Sequence, residues 1–405
     1  MSTHGSGAQH YPVSVRDVYG KTLGAIIVVT VRDMTAPTQT HFEAPNSLLA
    51  DIREGAAASC LGDPTPKQEV RFGLEYQEGT RKLRVLLTGS FGNLGESTLL
   101  ALSERNHEVR CFDMKTKTNL KKQAELSKQL PFETFWGNIT SPDDLRAAVQ
   151  GVDVIIHLAA ILPPGSERNP ELARRVNVGG TRLLIDTAKA TGTKPRIVYP
   201  SSVSAHGPRK PGGPLLTSDS PLVPTDNYTH HKAECEEMLR ESGLPWTITR
   251  ITAAPSLKLN ADLGFFPFQI PLEQRIEFGH TRDIGTALAN SVDAPVEGKV
   301  LLLGGGKRCQ MTNEQFINGF TMALGLGRIP ASVFRKPKSD DDWYYTDWLD
   351  TSESEGLLHY QAHTYEDYLA EMRENMGLTR HLIELFAPVV RWRLVSASPY
   401  AGLST

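Results

Sequence analysis

Two side chains four positions apart, Tyr228 and Lys232, form the pair whose chemistry is most direct to state. On a helix that spacing puts both on one face. A tyrosine hydroxyl, with a pKa of ~10, is a poor base at neutral pH. A nearby ammonium favours its phenolate. Tyr228 would then take a proton from a substrate hydroxyl or give one to a carbonyl. Upstream, Tyr199-Pro200-Ser201-Ser202-Val203-Ser204 brings three hydroxyls that can hold the same substrate oxygen. Residue types alone leave Ser201, Ser202 and Ser204 all open.

A second constellation, Thr88-Gly89-Ser90-Phe91-Gly92-Asn93-Leu94-Gly95, lies between a strand-like run and a helix-like run. Its first glycine allows a sharp turn out of the strand. The second lets backbone approach a pyrophosphate, and the third permits close helix–strand packing. The N–H groups at the helix start, with the helix dipole, then bind phosphate. Asp113 closes the next strand, Val109-Arg110-Cys111-Phe112. A carboxylate there accepts from adenosine ribose hydroxyls and repels a 2′-phosphate, which favours NAD over NADP. Lys115 and Lys117 are placed to offset that repulsion, so NADP stays open. His230, His231, Glu234 and Cys235 include pairs at helical chelating spacing, but no further ligand completes a set and no metal is expected.

These residues need a frame, and the chain supplies one from Arg84 onward. Strand-like runs at 85–88, 109–113, 132–136, 152–158 and 196–199 alternate with helical stretches at 95–105, from 140, and at 171–190. Near-continuous Val, Ile and Leu strands imply a parallel sheet covered on both faces. Right-handed crossovers then give an α/β, doubly wound Rossmann-type fold, with a small C-terminal substrate-binding region. Residues 276–292 read as a helix and 300–303 as a last strand. A final helix from Tyr365 to Phe386 is expected to end near Pro388. The division is an N-terminal extension or accessory unit over 1–80, a Rossmann domain with the catalytic residues over 81–255, and a C-terminal region over 256–405. In that last region a helix and strand at about 280–303 return to the sheet. Within 1–80, Val13–Val18 and Gly24–Val31 read as short strands, and no chemical motif stands out.

From about Leu83 to Leu303 the chain resembles the extended short-chain dehydrogenases, the NAD-dependent epimerase/dehydratase group. The carriers are Gly89-x-x-Gly92-x-x-Gly95, His157-Leu158-Ala159-Ala160, Val176-Asn177-Val178-Gly179-Gly180-Thr181, the Ser201-Ser202 strand and Tyr228-Thr229-His230-His231-Lys232, in that order. The resemblance implies that Ser202 holds the substrate oxygen and that Lys232 also binds the nicotinamide ribose. It makes Asn177 either a proton-relay residue or a helix kink. It places the cofactor against Gly89, Phe91, Gly92, Asn93, Leu94, Gly95 and Asp113. Leu158, Ala159 and Ala160 pass its ribose and phosphate. Asn138, beside Ile139, stands where the family usually has an adenine-binding Asp. After Arg250 the family's R-P-x-N signature is absent: the chain reads Arg250-Ile251-Thr252-Ala253-Ala254-Pro255. His280-Thr281-Arg282-Asp283 follows too soon for a nucleotide-gripping insertion, and Asp283 reads as a helix N-terminal residue. The apolar segment Leu263 to Pro271 is a lid or core, and the aromatic tail from Trp343 to Tyr368 is expected over the substrate side of the sheet.

The expected activity is therefore hydride transfer between a nicotinamide and a secondary alcohol or ketone. A sugar-nucleotide epimerase or dehydratase is the alternative. A non-catalytic redox sensor is disfavoured by the Tyr228/Lys232 pair. Across 405 residues, 43 basic and 46 acidic side chains give a formal charge of −3, no footprint for nucleic acid. No apolar run near the N-terminus approaches the ~20 residues of a bilayer span, and no signal peptide is evident. Cys60, Cys111, Cys235 and Cys309 are scattered, as suits a reducing cytoplasm. The expected partners are a small-molecule substrate and, from the resemblance, a second copy in a homodimer; neither nucleic acid nor membrane is expected.

Overall fold

The structure is a computed structural model that describes residues 82–257 and 266–401, together with the backbone of four short strands before them. Those are β1 (Val15–Arg16), β2 (Thr22–Leu23), β3 (Ile27–Thr30) and β4 (Arg71–Leu74), paired antiparallel as β1 with β2 and β3 with β4. They belong to a separate unit, Met1–Thr80; the second compact unit is Arg81–Thr405. Cys60 and Leu263 to Phe265 lie outside the described residues.

Within the second unit the chain alternates strand and helix: β5 (Arg84–Thr88), α1 (Asn93–Ser103), β6 (Glu108–Asp113), α2 (Lys117–Leu126), β7 (Glu133–Trp136), α3 (Pro142–Ala148) and β8 (Val154–His157). After β8 come α4 (Gly165–Arg168), α5 (Pro170–Arg174), α6 (Gly180–Ala190), β9 (Arg196–Ser202), α7 (Asn227–Glu241) and β10 (Trp246–Ile251). The chain then runs through β11 (Arg275–Glu277), α8 (Thr281–Asn290), β12 (Val300–Leu303), β13 (Gln310–Thr312) and α9 (Asn313–Ala323). It ends with α10 (Ser352–Leu358), α11 (Tyr365–Met376) and α12 (Thr379–Ala397).

Seven strands form one parallel sheet in the order β12-β10-β9-β8-β5-β6-β7. Strand order reverses between β5 and β8, and a crevice opens there at the strands' C-terminal ends. Neighbouring residues on a strand face opposite layers. Val85, Leu87, Ile156 and Val198 pack with Leu99, Leu102, Ile284 and Leu288 on one face. Leu86, Ile155, Ile197 and Tyr199 pack with Leu145, Leu184 and Leu239 on the other. The doubly wound sheet is thus covered on both sides, as its apolar strands require.

Four expectations need correction. The 171–190 helix is interrupted: Arg175–Gly179 forms a π-turn between α5 and α6. Ile276 is in antiparallel β11, paired with β13, and the helix begins only at Thr281. The last helix is two helices, α11 and α12, with Gly377 between them. Pro388 lies inside α12 rather than ending it. Ile383, Ala387, Val390 and Leu394 anchor one side of α12 in the C-terminal core, which carries the helix past the lost backbone donor.

Phe268 and Ile270 are core, packed near Phe334 and Tyr344 respectively. The aromatic tail lies along β11 and the 209–216 loop. Leu216 donates to the Trp348 carbonyl, Tyr344 N–H to Gln274 Oε1, and the Arg275 guanidinium sits 4.5 Å from the Trp348 ring centre. Asp283 is in the first turn of α8, as expected, and its carboxylate also accepts from Ala362 N–H, His363 N–H and His363 Nδ1. No helix among the described residues is long and apolar enough to cross a membrane.

Candidate active site

The glycine turn folds as its residue types demand. Gly89 has φ +69°, and a Cβ there would stand 2.9 Å from the Ala159 nitrogen. A Cβ on Gly95 would stand 2.1 Å from the Gly89 carbonyl oxygen. Both positions therefore exclude any larger residue. Helix α1 starts at Asn93 with Gly92 as its cap, and no side chain caps it. Its first N–H groups, with the helix dipole, point an unshielded positive end at the crevice.

Around this turn lies a cavity of about 630 Å³, a size typical of ligand pockets. Gly89, Gly92, Asn93, Leu94, Gly95, Asp113, Asn138, Ile139, Leu158, Ala159, Ala160, Ser202, Tyr228 and Lys232 all line it. Phe91 does not; its ring is buried against Phe132 and Trp136, and its carbonyl accepts from Lys122 Nζ at 2.8 Å. Asp113 accepts from Phe91 N–H at 2.9 Å, Met114 N–H at 2.8 Å and Asn119 Nδ2 at 3.0 Å. Burial nevertheless pushes its carboxyl above the ordinary value. These bonds fix the carboxylate at the end of β6, on the cavity wall. Asn138 is turned inward on its own loop, its Oδ1 accepting from Thr140 N–H and Oγ1.

The Ser201-Ser202 motif ends β9, and the two catalytic candidates on α7 stand beside it. Lys232 is buried, and its Nζ donates to the Pro200 carbonyl at 2.5 Å and lies 4.6 Å from the Tyr199 ring centre. Burial lowers its pKa to about 8. Tyr228 and Ser202 line the same cavity, and Ser202 Oγ is 2.7 Å from Ser204 Oγ. Of the three serines, Ser201 and Ser202 line the cavity and Ser204 does not. Burial raises the Tyr228 pKa, the nearby Ser202 hydroxyl opposes this without prevailing, and Lys232 Nζ is 5.7 Å from the ring centre. The phenol of the free site is therefore protonated and ready to donate.

Asn177 sits in the π-turn and is buried. Its amide clamps one backbone unit: Oδ1 accepts from Ile161 N–H at 2.7 Å and Nδ2 donates to Ile161 O at 2.9 Å. Nδ2 also lies 3.4 Å from His231 Nδ1. The side chain thus holds the Ala160–Ile161 wall of the cavity. His157 is buried neutral, its pKa lowered to about 3 by burial, between Thr88 Oγ1 at 2.8 Å and Thr181 Oγ1 at 3.0 Å.

Sequence reasoning passed over two positioning groups. Glu167 accepts from Asn227 Nδ2 at 2.7 Å and from Tyr228 N–H at 3.3 Å, which ties α4 to the first turn of α7. Glu236 is fully buried with Arg250, bonded through both guanidinium arms at 3.0 and 2.8 Å. Burial alone would raise the Glu236 pKa, but Arg250 prevails and holds it below the ordinary value. That pair fixes α7 against β10. An i,i+4 charge pattern would have pointed to Arg240 instead, which also reaches Glu236. The Glu236–Arg250 contact crosses from helix to strand and leaves no spacing to read.

A seven-stranded parallel sheet with a glycine turn, a strand-end serine and a helical Tyr/Lys pair defines a class, and comparison with known proteins agrees. Residues 86–244 match the model of the 3-beta hydroxysteroid dehydrogenase/isomerase family. Over this span the chain is similar to the extended short-chain dehydrogenase/reductases. 3 Beta-hydroxysteroid dehydrogenase type 7 of Rattus norvegicus is 32% identical over 161 residues, 38% of this chain and 46% of that protein. Sterol-4-alpha-carboxylate 3-dehydrogenase, decarboxylating, of Homo sapiens is 33% identical over 184 residues, 45% of each. The chain thus spans about half the length of the curated relatives it matches. Among solved structures, dTDP-glucose 4,6-dehydratase from Streptomyces venezuelae, with NAD bound, is similar with 25% identity and a TM-score of 0.61 over 73% of this chain and 98% of that one. UDP-glucuronic acid 4-epimerase from Bacillus cereus, 19% identical, shares the fold with a TM-score of 0.62 over 73% and 100%.

Proposed function

We propose that the chain is an NAD-dependent oxidoreductase acting at a secondary alcohol or ketone. The observation that carries this reading is that Ser202, Tyr228 and buried Lys232 line the same cavity as the Gly89–Gly95 turn. The cavity fits a dinucleotide in its donors: an uncapped helix start for the pyrophosphate and the Asp113 carboxylate for the adenosine ribose. Lys232 would hold the second ribose. Bound NAD would supply the hydride acceptor, and its reduced form the donor.

The chain's own residues handle the proton and the substrate. Ser202 Oγ orients the substrate oxygen, and the Tyr228 hydroxyl gives its proton to a carbonyl or receives one from an alcohol. Buried Lys232 keeps a positive charge on that side of the phenol. In the oxidation direction this charge favours the anionic form that burial disfavours. Asp113 supports NAD rather than NADP.

The substrate class favoured here is an alcohol on an apolar, sterol-like skeleton. Its supports are the names of the curated relatives and the apolar wall of Ile161, Leu162, Leu172 and Val176. The second reading, a sugar-nucleotide epimerase or dehydratase, is supported by the solved neighbours. A panel of hydroxysteroids and nucleotide sugars, followed by NADH absorbance, separates the two. Net NADH formation with a hydroxysteroid supports the first; sugar conversion at constant absorbance replaces it with the second.

A further inference from the structure

Helix α12 is apolar on two sides. Ile383, Ala387, Val390 and Leu394 face the C-terminal core. The opposite side carries Leu382, Leu385, Phe386, Val389 and Trp392, with Leu378 one turn ahead, and all are turned outward. Leu378 is 84% exposed, Leu385 72% and Trp392 69%. Steps of three and four residues make these one continuous stripe. Single exposed apolar residues are ordinary on a protein surface, whereas a contiguous run on one helix marks a contact surface.

The charges of the helix tell what it contacts. Its one acid, Glu384, lies 3.6 Å from Arg380 and 3.8 Å from His381. Arg391 and Arg393 have no acidic partner among the described residues, and helical spacing puts Arg393 within the apolar stripe. Pairing this face with a second copy would bury Arg393 against leucine and phenylalanine with no counter-charge, an expensive arrangement. A lipid surface removes that conflict. Leucine, phenylalanine and valine enter the acyl boundary, and the indole ring takes the interface. The long arginine stem lets its guanidinium reach a headgroup phosphate. Three arginines against one glutamate suit anionic headgroups.

We propose that α12 is an interfacial helix that lays its outward face on a lipid surface bearing anionic headgroups. It lies flat rather than spanning, in keeping with its internal proline and its three arginines. The contact is independent of the reaction assigned to the cavity.

Flotation of the full chain with phosphatidylcholine vesicles, with and without phosphatidylglycerol, tests this. The chain should float with the anionic vesicles, less with neutral ones, and detach in salt of about 0.5 M. L382S/L385S/F386S should weaken binding at least tenfold while leaving the melting temperature unchanged, since all three side chains are exposed. R393E should weaken it severalfold. Brominated lipid should quench Trp emission in the wild type more than in W392F. Failure to float with either vesicle, or equal flotation of the triple variant, would overturn the proposal. So would a dimer in sedimentation that the triple variant dissociates. Amide protection across 378–393 in the lipid-free monomer would also overturn it, because another segment of the chain would then cover the stripe.

Discussion

Lys232 is buried and Tyr228 half-buried, and desolvation pushes their proton affinities in opposite directions. The phenol keeps its proton and the ammonium is inclined to lose one. Tyr228→Phe should lower turnover by roughly 10²–10⁴-fold, the usual worth of a positioned acid–base group. NADH titration by fluorescence should show cofactor affinity nearly unchanged. Lys232 carries a stability signature as well. Its folded pKa of about 8 lies below the ~10.4 of an unfolded lysine. The folded state therefore binds fewer protons between those values, and stability gains as pH rises through the window. Below about pH 8 the full cost of the buried charge is present. Lys232→Met removes it, so the variant should gain on the wild type at pH 7 relative to pH 10, by on the order of 1–3 kcal/mol. Urea melts of both proteins without cofactor at the two pH values give the difference. Asp113→Ala should weaken NAD more than NADP in paired titrations; equal losses would remove Asp113 from the ribose site.

At the scale of elements, the turns around the cavity are held by side chains that bond to backbone. Asn177 closes both polar groups of Ile161, so Asn177→Ala leaves a partly buried N–H and C=O without partners. A loss of about 1–3 kcal/mol in denaturant unfolding is expected. How far such features can be read from sequence depends on their period. The strands of the central sheet were legible because two-sided burial writes a continuous apolar run. The glycine turn was legible because close backbone approach at Gly89 and Gly95 admits one residue type. The π-turn at Arg175–Gly179 was not, since a single extra residue per turn barely disturbs a helical pattern. Strand β11 was missed because three residues define it and its pairing with β13 is non-local. Pro388 misled because local propensity was overridden by the packing of Ala387 and its neighbours.

Over the second unit as a whole, ion pairs and carboxylates join parts far apart in the chain. Asp283 latches the 360s to α8, Glu277 accepts from Gly306 and Leu349 N–H, and Glu236 holds Arg250. Glu236→Ala leaves the Arg250 guanidinium buried and unpaired, and should cost about 3–5 kcal/mol. It should also loosen α7, so kcat falls along with the unfolding midpoint in a thermal melt. None of these partners could be chosen from sequence, where each acid has dozens of basic candidates. The motif residues were found because chemistry restricts their type; their supports are restricted only by geometry.

The contact between Lys232 Nζ and the Pro200 carbonyl has a consequence over evolutionary time. A carbonyl oxygen is present whatever side chain occupies that position. Drift along strand β9 can therefore replace neighbouring residues without taking away the acceptor that aims the cation. Mutational robustness at this point resides in the chain's path, and selection need act only on the lysine and on the strand that presents the oxygen.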